Sequence, residues 1–261
     1  MTDINGSLSV VTGGSSGIGE AVARALAARG SHVILLARNA DRLSAVVRQI
    51  RNEGGRADSY VLDLADPVAI ASVANELVSA HGAPQILINN AGAGRWLPLL
   101  QTTADEAAAM MTVPYLAAFN ITRELLSGML ERRSGHIVNV TSVAARLAWP
   151  GAVAYSAARA AMEGFTDSLR ADLHRSGITV TLAMFGTVDT PYWEHNPGSK
   201  ERLPHQAVRL PVLSSQHVAS LIVSAIEKGS RTIIAPSSFR LLFLLNALFP
   251  RQIEASLCKA P

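Results

Sequence analysis

Seven short apolar runs, separated by amphipathic stretches, recur along almost all of the 261-residue chain. They read SLSVVTG, HVILLA, DSYVLDL, ILINNAG, HIVNVTS, TVTLAMFG and RTIIA. Runs this short and this uniformly apolar suit strands buried on both faces, because strands of a half-exposed sheet alternate with period two. The stretches between them, such as Ile18–Arg29, Arg42–Asn52 and Val68–Ala80, carry the spacing of helices with one buried face. Strands joined by helical crossovers pair in parallel. The pattern therefore predicts an α/β fold. It is a doubly wound, Rossmann-type parallel sheet of seven strands with helices on both faces, built as one domain over residues 1–261. Ligands of such sheets bind beyond the carboxyl ends of the strands.

The rhythm breaks once, in a lid-like insertion at about residues 188–213. Pro191, Pro197, Pro204 and Pro211 interrupt it, with Trp193, His195 and His205 between them. A long aperiodic segment after a strand's carboxyl end is either a functional lid or a disordered loop. Other function classes find little support. The net charge is only +3 and its cations are scattered, without the basic run or basic–aromatic stripe that nucleic-acid binding needs. His32, His81, His136 and His217 stand in unrelated contexts without metal-ligand spacing, so no metal is assigned. The lone cysteine, Cys258, excludes an internal disulfide and fits a reducing compartment. With no basic region followed by an apolar run at the start, a cytoplasmic location is expected. The apolar segment FRLLFLLNALF is about half of a bilayer span, for which ~20 residues are needed. It suits a core or subunit-contact helix, with contact to a membrane surface as the lesser alternative.

The first strand runs into a glycine-rich turn and a helix, VVTGGSSGIGEAVARALAARG. Glycines admit a pyrophosphate close to the backbone, and a helix N-terminus offers free N–H groups and a positive dipole end. Gly13, Gly17 and Gly19 do not have the G-x-G-x-x-G spacing, so this motif alone is weak. Joined to two others it becomes specific. TGGSSGIG at Thr12–Gly19, NNAG at Asn89–Gly92, and Ser142 placed 13 residues before Tyr155 occur in the order and spacing of one family. The chain thus resembles the short-chain dehydrogenase/reductase family.

That resemblance implies a nicotinamide cofactor. It would be held by Gly13, Ser15, Ser16, Gly17, Ile18 and Gly19, with Asp63 and Leu64 near the adenine. Asn90, Ala91 and Gly92 would follow, then Tyr155 and Arg159, and last Gly186, Val188 and Thr190 in MFGTVDTP. There Phe185 replaces the family's proline. Asp63 is equally explained as a strand-end cap. The second strand ends in LLARNADRL, with Ala37 and Arg38 where an NAD site would place an acid. A forked, permanently charged guanidinium suits a 2′-phosphate, so NADP(H) is expected.

The family resemblance also implies a catalytic set of Asn, Ser, Tyr and Lys. Ser142 and Tyr155 are present, and both would touch the substrate. Arg159, one helical turn after Tyr155, replaces the lysine. A cation there favours a phenolate, yet a guanidinium cannot pass protons on. Aligning FNIT with the family's helix puts Pro114 at the asparagine position, where it brings no side-chain polar group, with Thr112 nearby. Both departures fall on the proton relay. The expected activity is an NADP(H)-dependent interconversion of carbonyl and hydroxyl groups on a hydrophobic small molecule, with Tyr155 as acid/base. The alternatives are a nucleotide-binding protein without catalysis, and non-redox proton chemistry such as dehydration or isomerisation. Arg95, Trp96, Leu147, Trp149, Tyr192 and Trp193 follow strands and are candidates for the substrate pocket. A homodimer or homotetramer is expected from the resemblance, with Ala157, Ala158, Ala160 and Ala161 permitting close helix contact.

Overall fold

The structure, a computed structural model, describes residues 2–147, 149–203 and 210–258. Its strands are β1 (Leu8–Thr12), β2 (His32–Ala37), β3 (Arg56–Val61), β4 (Ile86–Asn89), β5 (Gly135–Ser142), β6 (Ile178–Phe185), β7 (Val188–Asp189), β8 (Leu213–Ser214) and β9 (Thr232–Ala235). The α-helices are α1 (Gly17–Ala27), α2 (Ala40–Asn52), α3 (Pro67–His81), α4 (Ala104–Met111), α5 (Ala117–Arg132), α6 (Val153–Asp172), α7 (Tyr192–His195), α8 (Ser215–Lys228), α9 (Ser238–Leu248) and α10 (Pro250–Leu257). Seven strands form one sheet in the order β3-β2-β1-β4-β5-β6-β9, and every pair in it is parallel. This is the doubly wound fold that the apolar runs imply. Chain order reverses between β1 and β4, which makes a crevice at their carboxyl ends.

Burial follows the patterning. All residues of β1 and β4 are buried. One sheet face carries Val11, Leu35 and Ile88 under α1, α2 and α8, through Val22, Leu26, Leu43, Ile50 and Ile222. The other carries Val10, Ile34 and Leu87 under α3, α5 and α6, through Ile70, Leu77, Ile121, Leu125 and Leu169. Caps set the helix starts. Asn39 accepts from the Arg42 N–H at 2.9 Å, and Asp66 accepts from Val68 and Ala69 with Pro67 at the first helical position. The third strand ends earlier than its apolar run. Asp63 Oδ1 accepts from the Ala65 N–H at 3.0 Å and closes a turn, leaving Asp63 and Leu64 just past the strand.

The proline-rich insertion is ordered over its described residues. Its ends lie side by side, because β7 and β8 pair in parallel at Val188–Leu213 and Asp189–Ser214. Between them lie α7 and a 3-10 turn at Lys200–Arg202, and the Trp193 indole donates to the Val188 carbonyl at 3.2 Å. Pro204 and His205 lie outside the described residues. The apolar tail became α9, which is too short to span a bilayer. Among the described residues no helix is long and apolar enough to cross a membrane. One side of α9 packs Phe239, Leu242 and Phe243 against the compartment around Tyr155, while Leu241, Leu244 and Leu248 are exposed.

A second kind of core runs through the middle of the sheet. Asn89 donates to Thr122 and Asn139, and Asn139 donates to Thr166, tying β4 and β5 to α5 and α6. His136 on β5 lies beside Thr181 on β6, 2.7 Å away. Thr181 donates to the Ser230 carbonyl, so His136 Nε2 carries the proton shared with Thr181. His136 Nδ1 is then a bare acceptor, buried without a partner. Protonating it would strand a charge in the core. Burial accordingly pushes the imidazole down to about 4. The unfolded chain takes up this proton from about pH 6.5 downward and the fold only near its lowered value, so the difference removes up to about 3 kcal/mol as pH falls. In urea unfolding at neutral pH and at about pH 4, the acid-induced loss of stability is expected to be smaller in His136→Gln by about 2–3 kcal/mol.

Candidate active site

The crevice at the switch point is held by a knot of backbone and short side chains. Thr12 Oγ1, donating to the Ile88 carbonyl, accepts from the N–H groups of Asn90 and Ala91 at 3.0 and 3.1 Å. Asn90 Nδ2 donates back to the Thr12 carbonyl at 3.0 Å. Gly13 turns the chain with φ +67°, in the left-handed region that favours glycine. Gly19 has a different task. A Cβ there would overlap the Gly13 carbonyl oxygen and lie 2.6 Å from Asn90 Nδ2, so its bare Cα lets α1 press against the turn.

Above this knot opens a cavity of about 890 Å³. Gly13, Ser15, Ser16, Gly17 and Ile18 line one end with Arg38, Asp63 and Leu64, and Asn90, Ala91 and Gly92 line its middle. Ser142, Tyr155, Arg159, Gly186, Val188 and Thr190 complete the wall. Of the residues singled out for cofactor binding or catalysis, Gly19 alone is absent from the lining. It supports the turn from behind. The insertion closes over the crevice: Pro191, Tyr192, Trp193 and His195 face the cavity. Thr190 comes so near Gly17 that a Cβ there would be 3.2 Å from Thr190 Cβ. At the rim, Arg42 lies 3.5 Å from His195.

Ser142 is the last residue of β5, and its Oγ accepts from the Ala144 N–H at 3.2 Å. Tyr155 and Arg159 occupy the first turns of α6, both buried. The Arg159 guanidinium carbon is 4.8 Å from the centre of the Tyr155 ring, a cation–π distance. Gly92 bounds the other side, since a Cβ there would be 2.8 Å from both terminal guanidinium nitrogens. Arg159 Nε is buried with no partner in the protein. The larger arginine head is thus accommodated as a layer between a phenol ring and a bare backbone. Thr141 donates to the Arg159 carbonyl at 3.0 Å and fixes α6 on β5.

Pro114 lies in a five-residue π-helical segment, Thr112–Leu116, between α4 and α5. A widened turn tolerates the missing N–H and the proline ring that a regular α-helix would not. Pro114 is buried away from the cavity, and Val113 takes its place on the wall. The Thr112 hydroxyl is spent on the Ala108 carbonyl at 2.9 Å. Neither supplies a polar group to Tyr155.

Next to Tyr155 stands an aromatic cluster. Ring centres of Trp96 and Tyr155 are 5.6 Å apart, those of Trp96 and Trp149 6.1 Å, and those of Tyr155 and Tyr192 6.4 Å. Tyr192 donates to the Gly94 carbonyl, and burial together with the neighbouring Tyr155 pushes its phenol far up, so it stays a neutral donor. Of the pocket candidates, Trp96, Trp149, Tyr192 and Trp193 line the cavity, whereas Arg95 is exposed and paired with Glu106 at 3.2 Å. Leu147 is buried in the same cluster without reaching the cavity wall. Sequence reading missed Asn39, Arg42 and Phe239 on the lining. The offset of Arg42 from Arg38, one turn into α2, was a usable signal; nothing local marked Phe239.

Comparison with known proteins gives one consistent result. The family model for short chain dehydrogenases matches residues 8–200. A Streptomyces violaceoruber protein assigned as a ketoacyl reductase of the granaticin polyketide synthase is 36% identical over 189 residues, 72% of this chain and 70% of that one. An uncharacterised oxidoreductase of Mycobacterium tuberculosis, 38% identical over 193 residues, is matched over only 57% of its length. A metagenomic short-chain oxidoreductase solved with NADP superposes with a TM-score of 0.75 at 30% identity, covering 90% of this chain and 98% of that one. A short-chain dehydrogenase/reductase of Burkholderia phymatum solved with NAD gives a TM-score of 0.88 at 25% identity, covering 100% and 99%.

The Gly19 packing is directly testable. Gly19→Ala is expected to cost about 3 kcal/mol in urea unfolding, since overpacking against a backbone carbonyl has little room to relax. Gly54→Ala, whose Cβ would meet nothing within 4 Å but whose φ is +85°, isolates the cost of backbone strain and is expected to lose less.

Proposed function

The chain belongs to the short-chain dehydrogenase family, and on that premise we propose that it is an NADP(H)-dependent oxidoreductase interconverting a carbonyl and a hydroxyl group on a hydrophobic small molecule. One observation carries this reading. A single cavity joins a glycine turn and α1 N-terminus at one end to Ser142, Tyr155 and Arg159 at the other. The residues present fit a dinucleotide. Gly13 and Gly17, both at positive φ, shape the turn on the cavity wall at the α1 N-terminus, whose free N–H groups suit a pyrophosphate. The unpartnered Arg159 Nε leaves buried donor capacity at the other end.

The choice of NADP(H) rests on this chain's own cations, since one structural neighbour was solved with NADP and another with NAD. Arg38 is exposed on the cavity rim directly after β2, with Arg42 one turn further on; Asp41 stands between them in the chain but does not line the cavity. Two guanidiniums suit a phosphate monoester and leave a ribose diol without an acceptor.

When bound, the nicotinamide supplies or accepts the hydride. The Tyr155 hydroxyl gives its proton to the substrate oxygen in reduction and takes it back in oxidation, while the Ser142 hydroxyl donates a second hydrogen bond to that oxygen. Arg159 holds a permanent positive charge over the Tyr155 ring and offers donors to sugar hydroxyls. It stores no exchangeable proton at ordinary pH, so Tyr155 is reprotonated through solvent in the cavity. The Trp96, Trp149 and Tyr192 rings suit an apolar or aromatic body next to the reacting carbon. A second reading, nucleotide binding without turnover, draws on the same relay losses at Pro114 and Arg159. Self-association, implied by the family, would use exposed apolar residues on and beside α5 and α6, including Phe119, Leu130 and Val153.

Oxidation of NADPH against a panel of hydrophobic ketones, followed by its absorbance, tests the proposal. Turnover is expected in the wild type, with a fall of about 10²- to 10⁴-fold in Tyr155→Phe and little change in NADPH binding. NADPH binding without turnover on any ketone would favour the second reading. Arg38→Ala is expected to weaken NADPH relative to NADH by about 10- to 100-fold, measured by titration of each, in line with the value of a charge-assisted hydrogen bond.

A further inference from the structure

At the end of the sheet opposite the cavity, three side chains that the sequence keeps far apart come together. His32 is the first residue of β2, Asp58 lies on β3, and His81 is the last residue of α3. In the β2–β3 register His32 faces Arg56 and Ile34 faces Asp58, so His32, Ile34, Asp58 and Tyr60 share one sheet face. On α3 the inward stripe runs Ile70, Ala74, Leu77, and the next position on it is His81. A histidine thus stands where the stripe would place another apolar side chain, directly under the strand starts.

We propose that His32, Asp58 and His81 form a site for a divalent transition metal, of which zinc is the expected occupant. One ring nitrogen of each histidine and one Asp58 oxygen lie within 4.8 Å of one another. His32 Nε2 is 2.7 Å from Asp58 Oδ2, and the two imidazole rings meet edge to face with centres 5.3 Å apart. Ligands about 2.0–2.1 Å from a tetrahedral ion are roughly 3.3 Å from each other, so the donors need to close by about 1.5 Å at most. All three side chains are only partly buried, which leaves them that freedom.

The surroundings orient the donors. The Arg51 guanidinium holds Asp58 Oδ1 at 2.5 Å, leaving Oδ2 turned to His32. The Tyr60 hydroxyl lies 3.1 Å from His81 Nε2 and fixes that ring. Partners of this kind tune ligands without touching the ion. His81 also closes the last turn of α3, where the dipole favours positive charge. Two imidazoles and one carboxylate select zinc, nickel, cobalt or copper over magnesium and calcium. The nearby Arg51 charge opposes the ion, so binding in the micromolar range is expected rather than the far tighter binding of thiolate sites. The strand length, six residues in β2, places the site about 20 Å from Arg38 and outside the catalytic cavity. Its role would be to clasp β2, β3 and α3 at a sheet edge.

Titration of tag-free, chelator-treated full-length protein with zinc chloride alone, by calorimetry, is the decisive measurement, with cobalt(II) absorption as a readout of the ligand geometry. One equivalent is expected to bind, with visible cobalt bands of a tetrahedral site. Zinc at a hundredfold excess over its dissociation constant is expected to raise Tm by about 5–10 °C. His32→Gln, His81→Gln and Asp58→Asn should each weaken binding at least tenfold, while His217→Gln, a surface control, should not. Circular dichroism and NADPH titration of the variants confirm that each is folded. Zinc affinity unchanged in folded His32→Gln and His81→Gln, or no binding in the micromolar range, would overturn the assignment.

Discussion

The cavity depends first on the contact between α1 and the turns that follow β1 and β4. Two strands far apart in the chain, β1 and β4, meet where the order of the sheet reverses. A single threonine hydroxyl, Thr12 Oγ1, answers two backbone N–H groups there. Asn90 closes the return bond to the Thr12 carbonyl. Only a residue without a side chain at position 19 allows the helix to start this close. The position of the α1 N-terminus, and with it the floor of the cavity, follows from that contact. The remaining walls are hung from it through the parallel register of β4, β5 and β6.

The Tyr155 end of the cavity is built by a different principle. Its polar groups are fixed from behind by a buried chain running Asn89, Asn139 and Thr166, which crosses from β4 to α6. Such a chain rewards one geometry, because any slip of α6 along β5 leaves buried amides unsatisfied. Tyr155 and Arg159 inherit that precision. The exchange of an ammonium for a guanidinium is absorbed locally by stacking on the Tyr155 ring and against Gly92. The proline at position 114 is absorbed by the π-helical turn. The sheet thus carries a guanidinium and a proline at the two positions where the family resemblance implies an ammonium and an amide.

Much of this was legible in the sequence because it depends on local physics. The runs SLSVVTG and ILINNAG hold inner strands buried throughout, whereas DSYVLDL became the partly exposed edge strand β3. The strands and the glycine turn before α1 all follow from residues near one another in the chain. The lining of the cavity by Arg38 and Ser142 was legible for the same reason, since Ser142 ends β5 and Arg38 directly follows β2. What escaped was set by distance in the chain. Asp63 reads as the end of a strand until the turn to Ala65 shows it lying beyond one. Phe239 reaches the cavity from α9, nearly a hundred residues after Ser142, with no local cue. His32 and His81 read as unrelated until β2 and α3 are folded against each other. The proline-rich insertion looked aperiodic because its order comes from pairing its two ends rather than from a repeating pattern.

That pairing has a mechanical consequence. With β7 beside β8, the 23 residues from 190 to 212 leave and rejoin the body at one point. Feet held side by side act as one hinge, so the residues that face the cavity from this span, Pro191, Tyr192, Trp193 and His195, are joined to the body along a single edge of the crevice. The closure entropy of a span with paired ends changes slowly with the number of residues in it. Residues added between the paired ends would therefore cost little stability, while Ser142, Tyr155 and Arg159, all outside the span, would keep their places.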